Sequence, residues 1–328
     1  MLQLEIKPKI ASFALMVSVI VISVMPINSS AQGFPLTTTN CGHEVVIKSI
    51  PERLVVVNSD ALAVLDALDA LDLVVARTGS LVREAYSAET LAKIDAIPVI
   101  STTSSSTGGS VIGLETIISM APDVVLAPEK AVDRDMLGAA DIPLYAPVAF
   151  CSVPEAGENG YASFDMVFDQ LRKYGEILGR SNKAESAIAK MKATLESTKS
   201  TGNTSDGTAI AVYVGSERSL YFYGRRSMID PIFDAVGLEN VFGDEDQRVF
   251  SGGLEDFIKR DPQTVVLLYS GTPPEKIHDL FLSVPGIDGL SAVRNNRVLT
   301  LPFPFTDPPT PMSIAGVQVL KSKLNLLP

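Results

Sequence analysis

A group of aromatic and basic side chains lies together on one predicted strand in the second half of the chain. Alternation along a strand points Tyr221 and Tyr223 to one face and Phe222 to the other. Arg225 and Arg226 follow where the strand ends. Tyrosine offers a flat apolar face and a hydroxyl, and arginine offers a planar fork of donors for oxyanions. The segment therefore predicts a surface for a ring-bearing molecule with anionic groups. A buried strand followed by two solvated arginines is the alternative.

Catalytic chemistry finds little support in the chain. Its histidines are His43 and His278 alone, which disfavours both a histidine-activated nucleophile and a metal site made of side chains. The chain lacks a Gly-x-Ser-x-Gly turn, a Gly-x4-Gly-Lys-Ser/Thr loop and a Gly-x-Gly-x-x-Gly turn after the first strand. Its acidic residues are many but scattered. We therefore predict a protein that is not an enzyme, with no catalytic residue, metal site or cofactor.

The size and charge of the chain limit its class. With 328 residues, of which 46% are hydrophobic, it can form two α/β domains with real cores. Lys and Arg number 27 against 38 Asp and Glu, which gives a formal net charge of −11. Affinity for nucleic acid rests on the neutralisation of phosphates by basic residues, so the sequence argues against a nucleic-acid partner.

The beginning of the chain has the pattern of an export signal. Lys7 and Lys9 precede an apolar run over 11–27, and small residues follow up to Ala31. This pattern predicts a signal peptide, residues 1–31, that is cleaved after Ala31. A retained anchor is the alternative, although the run is shorter than the span of about 20 residues that a bilayer needs. No Cys follows the run, so this segment shows no site for a lipid anchor. We expect an exported protein, either periplasmic or on the cell surface.

Two cysteines, Cys41 and Cys151, are present in the whole chain. In an exported protein such a pair favours one disulfide over a zinc site, which usually needs four ligands. Two separate buried thiols are the alternative.

A segment that occurs twice organises the chain. Residues 113–126 and 253–268 both begin with Gly-Leu-Glu, and in both the glutamate, Glu115 or Glu255, lies seven residues before a proline. Each copy reads as a short helix that ends near the proline, followed by a buried strand of β-branched residues. Two such units in one chain predict two lobes of similar architecture.

A long helical pattern separates the two copies. Residues 163–178 lack proline and space their apolar residues as a helix does, and Gly and Ser residues interrupt the pattern near 179–182. We therefore expect a connecting helix within 161–182, an N-terminal lobe over 32–160 and a C-terminal lobe over 183–328. Strands alternate with helices in both lobes, which predicts mainly parallel sheets.

Together these motifs resemble one known family. Pro51–Val57, the doubled Gly-Leu-Glu unit, Ile142–Pro147 before Cys151, and Leu301–Phe305 are similar to segments of the substrate-binding proteins of ABC importers for ferric siderophores, cobalamin and heme. The resemblance extends from about residue 34 to 325. It implies two Rossmann-like lobes bridged by one stiff helix, a monomer, and a permease with its ATPase as membrane partners.

The resemblance also implies a role for the doubled glutamates. In the family, a glutamate on each lobe pairs with arginines of the permease, and these fall on Glu115 and Glu255. The alternative is local, because an acidic residue in the first turn of any helix is favoured by about 0.3–1 kcal/mol.

A ligand is expected beyond the carboxyl ends of the strands, in the cleft between the lobes. The expected ligand is an iron chelate, with cobalamin or heme as alternatives, and Tyr223 or His43 could in principle ligate heme. Family clefts often use tryptophan, which this chain lacks. A non-transport adhesion module of the same fold is a further alternative. The predicted ligand-binding residues are Ser59, Arg77, Lys130, Tyr221, Tyr223, Arg225, Arg226, Tyr269, Phe303 and Phe305.

Overall fold

The computed structural model describes residues 1–2, 33–79, 81–103, 111–152, 161–198, 207–216 and 219–327. Residues 32–328 form one compact unit. Residues 3–31 of the predicted signal peptide lie outside the described residues. Among the helices that the structure describes, none has both the length and the hydrophobicity of a membrane span.

The first lobe contains an antiparallel hairpin and a five-stranded sheet. The sheet has the order β5-β4-β3-β6-β7, and every pairing in it is parallel. Its elements are β1 (Leu36–Asn40), β2 (His43–Ile47), β3 (Leu54–Val56), α1 (Asp60–Ala67), β4 (Val74–Thr78), α2 (Ala88–Asp95), β5 (Val99–Ser101), α3 (Leu114–Ser119), β6 (Val124–Leu126), α4 (Arg134–Ala139) and β7 (Leu144–Tyr145).

The predicted connecting helix is confirmed as α5 (Phe164–Ile177). Its buried face carries Val167, Phe168, Leu171 and Tyr174, which follow the helical spacing. Gly179 then takes a left-handed backbone conformation, with φ of +64°, and the chain turns into α6 (Ser181–Thr198). The domain boundaries at residues 160 and 182 stay predictions.

The second lobe contains a mixed sheet of the order β11-β9-β8-β12-β13, with β10 paired to β8. β9 runs antiparallel to β8 and to β11, and the other pairings are parallel. Its elements are β8 (Thr208–Ser216), β9 (Ser219–Tyr223), α7 (Ile229–Val236), β10 (Glu239–Asn240), β11 (Val249–Ser251), α8 (Leu254–Arg260), β12 (Thr264–Tyr269), α9 (Pro274–Leu282), α10 (Ser291–Arg294), β13 (Val298–Pro302) and α11 (Pro311–Leu324).

The doubled sequence segment forms the same structure twice. In both copies the helix is short, α3 or α8, and the strand after it, β6 or β12, lies inside its sheet. Ile117 and Phe257 fill the same buried position. The polar residue just before each strand also repeats a contact: the Asp123 carboxylate accepts backbone N–H groups ahead of β3, and the Gln263 side chain accepts the Thr208 N–H at the start of β8. The sequence repeat is therefore a repeat of architecture.

One apolar core joins both lobes. Buried residues of α1, α5 and α6 pack in the same cluster as buried residues of α7, α11 and the facing side of the second sheet. A separate cluster covers the outer side of each sheet. A core shared in this way resists large relative motion of the lobes, because close-packed interiors do not deform freely.

The predicted disulfide forms between Cys41 and Cys151, whose Cα atoms are 4.9 Å apart. It joins the turn of the β1–β2 hairpin to the segment that follows β7. The bond therefore ties the start of the first lobe to its end.

Candidate functional site

The two lobes meet where their parallel strands end. The segment after β4 carries Glu84, whose carboxylate acts electrostatically on the Tyr269 hydroxyl at the end of β12. Burial, with Glu84 next in importance, raises the pKa of Tyr269 to about 12. Asp60, just after β3, acts electrostatically on Arg248 and Asp307 of the second lobe. The Glu84–Tyr269 interaction brings together loops that follow strand ends in both lobes, and we take these loops as the candidate binding cleft.

The first loop of the cleft has an unusual backbone. Asn58 has φ of +82°, which non-glycine residues rarely adopt. Its N–H donates to Thr78 Oγ1 at 3.0 Å, and its side-chain amide donates to Asp60 Oδ2 at 2.8 Å. Ser59, a predicted ligand contact, is half-buried at the helix start, and its hydroxyl makes no capping bond. Such a held, strained turn is frequent at functional sites.

Arg77 provides a buried cation on the same side. Its side chain is almost entirely enclosed, its Nη1 donates to the Gly79 carbonyl at 3.3 Å, and its Nε has no hydrogen-bond partner among the described residues. The carboxylate that acts on it, Asp95, is already bound at 2.7 and 2.8 Å by Arg83. Burial lowers the pKa of Arg77. A buried guanidinium with spare donor capacity is suited to an anionic or strongly accepting ligand atom.

Tyr86 stands next to this cation. Burial raises the pKa of Tyr86, and the Asp60 carboxylate adds to the rise, while Arg77 opposes it. The Tyr86 hydroxyl is therefore a neutral donor at physiological pH. Its ring packs against the shared core together with Leu81.

Aromatic rings line the second lobe's side. Tyr213 on β8 shares a hydrogen bond of 3.2 Å with Ser270 and meets the Phe303 ring edge-on at 6.2 Å between centroids. Phe303 and Phe305 are half-buried against the shared core. Tyr221 is 40% exposed and lies next to Gly215 near the carboxyl end of β8. Tyr221, Phe303 and Phe305 thus lie on the inner face of the second sheet, whereas Tyr269 packs in the cluster on its outer side.

The basic end of the predicted segment lies elsewhere. Because β9 runs antiparallel to β8, its last residues reach the edge of the sheet opposite the carboxyl ends of the parallel strands. Tyr223 is buried there, Arg225 stacks on the Tyr161 ring at 3.7 Å, and Arg226 binds Asp246 through two hydrogen bonds of 3.0 and 2.9 Å. Arg225 and Arg226 are therefore not placed to contact a ligand beyond the strand ends.

Lys130 lies in a separate surface groove. It is exposed beside His43 and Glu129, and His43 Nε2 lies 3.5 Å from Glu129 Oε1. A hydrogen bond from the Ser152 backbone lowers the pKa of Glu129. His43 belongs to the hairpin and not to the loops that face the second lobe.

A further depression of 510 Å³ lies at the opposite, amino-terminal edge of the first sheet. Two of its carboxylates are paired, since Lys183 pairs with Asp69 at 3.3 Å and Arg180 with Asp72 at 3.5 Å. Because it lies at the amino-terminal edge of the sheet and these carboxylates are already paired, it differs from the candidate cleft at the strand ends. We do not assign the ligand to it.

The sequence did not point to three charged residues near the boundary between the lobes, Asp60, Arg248 and Asp307. Asp60 and Asp307 follow strand ends, which is a usable signal, whereas Arg248 lies between a loop and an edge strand and carries none. No cluster of His, Cys, Asp and Glu arranged to hold a metal ion occurs in the part of the chain that the structure describes.

The two glutamates of the doubled segment occupy matching surface positions. Glu115 and Glu255 each lie in the first turn of their short helix, one residue before another exposed polar side chain. Both are exposed. Their similar placement on the two lobes is compatible with one partner that contacts both.

Comparison with known proteins finds relatives along most of the chain. Residues 54–304 match the model of a family described as periplasmic binding protein. The chain is 22% identical over 300 residues to an uncharacterized ABC transporter substrate-binding lipoprotein of Bacillus subtilis, covering 89% of this chain and 86% of that protein.

Solved structures share the fold. A protein of an ABC-type Fe³⁺-hydroxamate transport system from Saccharomonospora viridis is 35% identical, with a TM-score of 0.80 over 89% of this chain and 99% of that one. The periplasmic heme-binding protein RhuT from Roseiflexus is 20% identical, with a TM-score of 0.64 over 83% and 97% of the two chains. The second likeness concerns the fold alone.

Proposed function

Because the chain belongs to the periplasmic binding protein family, we propose that it binds a ferric chelate of the hydroxamate type between its lobes and delivers it to a membrane permease. It is the substrate-binding component of an ABC transporter in the siderophore, heme and B12 class, and it is not an enzyme. The iron chelate is the finer part of the proposal. It is supported by the Saccharomonospora relative and by the chemistry of the cleft.

The proposed choice of ligand rests on the buried cation Arg77. A ferric hydroxamate presents oxygen atoms with partial negative charge around the metal and a largely apolar periphery. Arg77 has a donor without a partner, and the Tyr86 hydroxyl is a neutral donor beside it. Tyr213, Tyr221 and the half-buried Phe303 offer apolar faces to the periphery. A few polar donors among apolar and aromatic side chains are the usual lining of a small-molecule site.

Calorimetric titration tests the proposal. Ferrioxamine B, a ferric trishydroxamate, is titrated into the protein, and iron-free desferrioxamine B serves as the matched control. We expect a saturable heat for the ferric form and quenching of tyrosine fluorescence, which is the available intrinsic probe because the chain has no tryptophan. The absence of any response to ferric hydroxamates would reject the iron assignment.

Delivery needs partners in the membrane. We propose that a permease with its ATPase receives the chelate and that Glu115 and Glu255 contact basic residues of the permease. Surface ion pairs are individually weak, so these contacts would mainly set orientation. We further propose that residues 1–31 direct export, which places the protein outside the cytoplasm.

Heme and cobalamin are the alternatives to be tested beside it. Tyr223 is buried beside Arg248 and Asp307, and burial raises its pKa, which disfavours the phenolate that would ligate iron; His43 lies on the hairpin and not on the loops that face the second lobe. Titration with hemin should therefore produce no shifted Soret band. Such a band would identify heme, and not a ferric chelate, as the ligand.

A further inference from the structure

Residues 146–152 of the first lobe, called the tied segment below, are fastened to the β1–β2 hairpin at two points. The side chain of Asn40 accepts the Ala146 N–H at 2.7 Å and donates to the Ala146 carbonyl at 2.9 Å. The next residue of the hairpin, Cys41, forms the disulfide with Cys151. The hairpin therefore fixes both ends of the tied segment.

The tied segment also contacts the connecting helix and the second lobe. The Val148 N–H donates to the Gln170 side chain of α5 at 3.0 Å, and Gln170 in turn donates to the Pro309 carbonyl at 2.9 Å. The centre of the Phe150 ring lies 5.2 Å from the guanidinium carbon of Arg248, within the range of a cation–π contact. The residue just before the disulfide thus contacts the second lobe directly.

Arg248 is anchored within its own lobe. Its Nη2 pairs with Asp307 Oδ2, and the Asp307 side chain is only 1% exposed. Asp307 also accepts the Met228 N–H at 3.4 Å, and the Arg248 carbonyl accepts the Gly224 N–H at 3.3 Å. Through Arg248 and its ion pair, Phe150 is therefore linked to two backbone N–H groups of the second lobe.

We propose that the Cys41–Cys151 disulfide is a thiol-sensitive strap that holds Phe150 against Arg248 and so fixes the contact between the lobes. Opening of the bond releases the end of the tied segment, and Phe150 then moves away from Arg248. The inference goes beyond the proposed function, because it concerns the folded lobes and needs no particular ligand. Phe150 and Arg248 are positioning residues in it.

A dithiol is the class of reductant that would open the strap. Cys151 is half-buried, whereas Cys41 is only 2% exposed, so a thiolate is expected to attack the Cys151 sulfur. This attack forms a mixed disulfide with Cys151 and releases the Cys41 thiolate, which takes up a proton. The second thiol of the reductant then displaces Cys151. Both cysteines end as thiols, and the dithiol ends as a cyclic disulfide.

Amide hydrogen exchange, followed residue by residue with NMR in the presence and absence of dithiothreitol, tests the proposal. We expect the Gly224 and Met228 N–H groups to exchange about threefold to tenfold faster after reduction, because a cation–π contact across the lobes is lost. The internal control is the Val265 N–H at the start of β12, which donates to the Arg297 carbonyl at 3.0 Å and should exchange at an unchanged rate.

Substitutions in the oxidised protein separate the ring from the disulfide. Phe150→Leu should accelerate exchange at Gly224 and Met228 as reduction does, whereas Phe150→Tyr, which keeps an aromatic face, should not. The matched control is Lys183→Met, which breaks a 3.3 Å ion pair with Asp69 away from the tied segment and should leave both rates unchanged.

Three results would overturn the proposal. Reduction that accelerates exchange at Ala146 and not at Gly224 or Met228 would make its effect local to the first lobe. Equal acceleration at Val265 would show that the bond supports the whole fold and not the contact between the lobes. Unchanged exchange at Gly224 and Met228 in Phe150→Leu would show that the ring does not position Arg248. The measurement uses no ligand, so its outcome is separate from that of the ferrioxamine titration.

Discussion

At the scale of single residues, the candidate cleft contains polar groups whose burial destabilises the folded protein. Ligand binding or motion of the lobes would explain why they are there. Arg77 is a buried cation with an unused donor, and Asp60 is a carboxylate whose pKa burial raises to about 6. Desolvation of an unpaired charge is expensive, and proteins retain such groups mostly at functional sites. Both residues lie at strand ends, where proteins with open α/β sheets usually bind their ligands.

Arg77→Met should weaken the binding of ferrioxamine B by about tenfold to a hundredfold, because a charge-assisted hydrogen bond contributes roughly 1.5–3 kcal/mol. Titration calorimetry measures the change, and Arg226→Met is the control, since that arginine already pairs with Asp246. Equal affinities of the two variants for ferrioxamine B would show that Arg77 is not part of the binding site.

Asp60→Asn should raise the stability of the protein at pH 7.5. The folded-state pKa is about 6 against an ordinary 3.8, so this group adds stability that is complete below pH 4 and is lost as the pH rises through 6. At pH 7.5 the variant should gain about 1–3 kcal/mol, because one pKa unit corresponds to about 1.4 kcal/mol and Asp60 is only partly buried. Thermal unfolding at pH 4 and 7.5 checks it; a loss of stability at pH 7.5 contradicts it.

At the scale of elements, the periodicity of the sequence predicted the connecting helix and the alternation of side chains, but not the direction in which β9 runs. The helix expected over 163–178 is α5, since a proline-free amphipathic run leaves few alternatives. The alternation of Tyr221, Phe222 and Tyr223 is also correct, because Phe222 and Tyr223 belong to different core clusters. The strand's direction was missed. The short gap between β8 and β9 excludes a parallel crossover, which needs about a dozen residues, and this signal would have placed Arg225 and Arg226 correctly.

Contacts between distant segments could not be read from the sequence. Arg248 reaches Asp307 and Phe150 only because an edge strand of one lobe lies against the end of the other. No local pattern records that meeting. By contrast, the doubled Gly-Leu-Glu unit predicted two similar lobes, because each copy contains a complete helix–strand unit.

The glutamates of α3 and α8 belong to this scale. Glu115→Lys together with Glu255→Lys should lower cellular uptake of ferrioxamine B by about tenfold or more and leave its affinity unchanged, since reversed charges oppose docking without reaching the cleft. Radioactive iron uptake and calorimetry measure the two effects. Glu89→Lys is the control, because Glu89 lies in the first turn of α2 outside the doubled unit. Undiminished uptake in the double variant would disprove the docking role.

At the scale of the whole molecule, a shared apolar core packs the two lobes into one body. The shared core includes α5, α1 and α11, and the Gln170 side chain on α5 bonds both to Val148 N–H of the first lobe and to the Pro309 carbonyl of the second. Large domain rotation is therefore costly. Small changes of lobe angle are the motion that this architecture allows.

The disulfide contributes at the same scale. Reduction of Cys41–Cys151, or its replacement by two serines, should destabilise the protein by about 4–5 kcal/mol, because the bond closes a loop of 110 residues in the unfolded chain. Denaturant unfolding with and without reductant measures it. Unchanged stability would show that the bond does not restrict the unfolded state.

Native mass spectrometry of a competition tests the central claim most directly. The protein is mixed with equal amounts of ferrioxamine B, ferric enterobactin, hemin and cyanocobalamin, and the bound species is identified by its mass. We predict a one-to-one complex with ferrioxamine B, and its loss in Arg77→Met. A complex with hemin or cyanocobalamin instead, or no complex at all, would contradict the account.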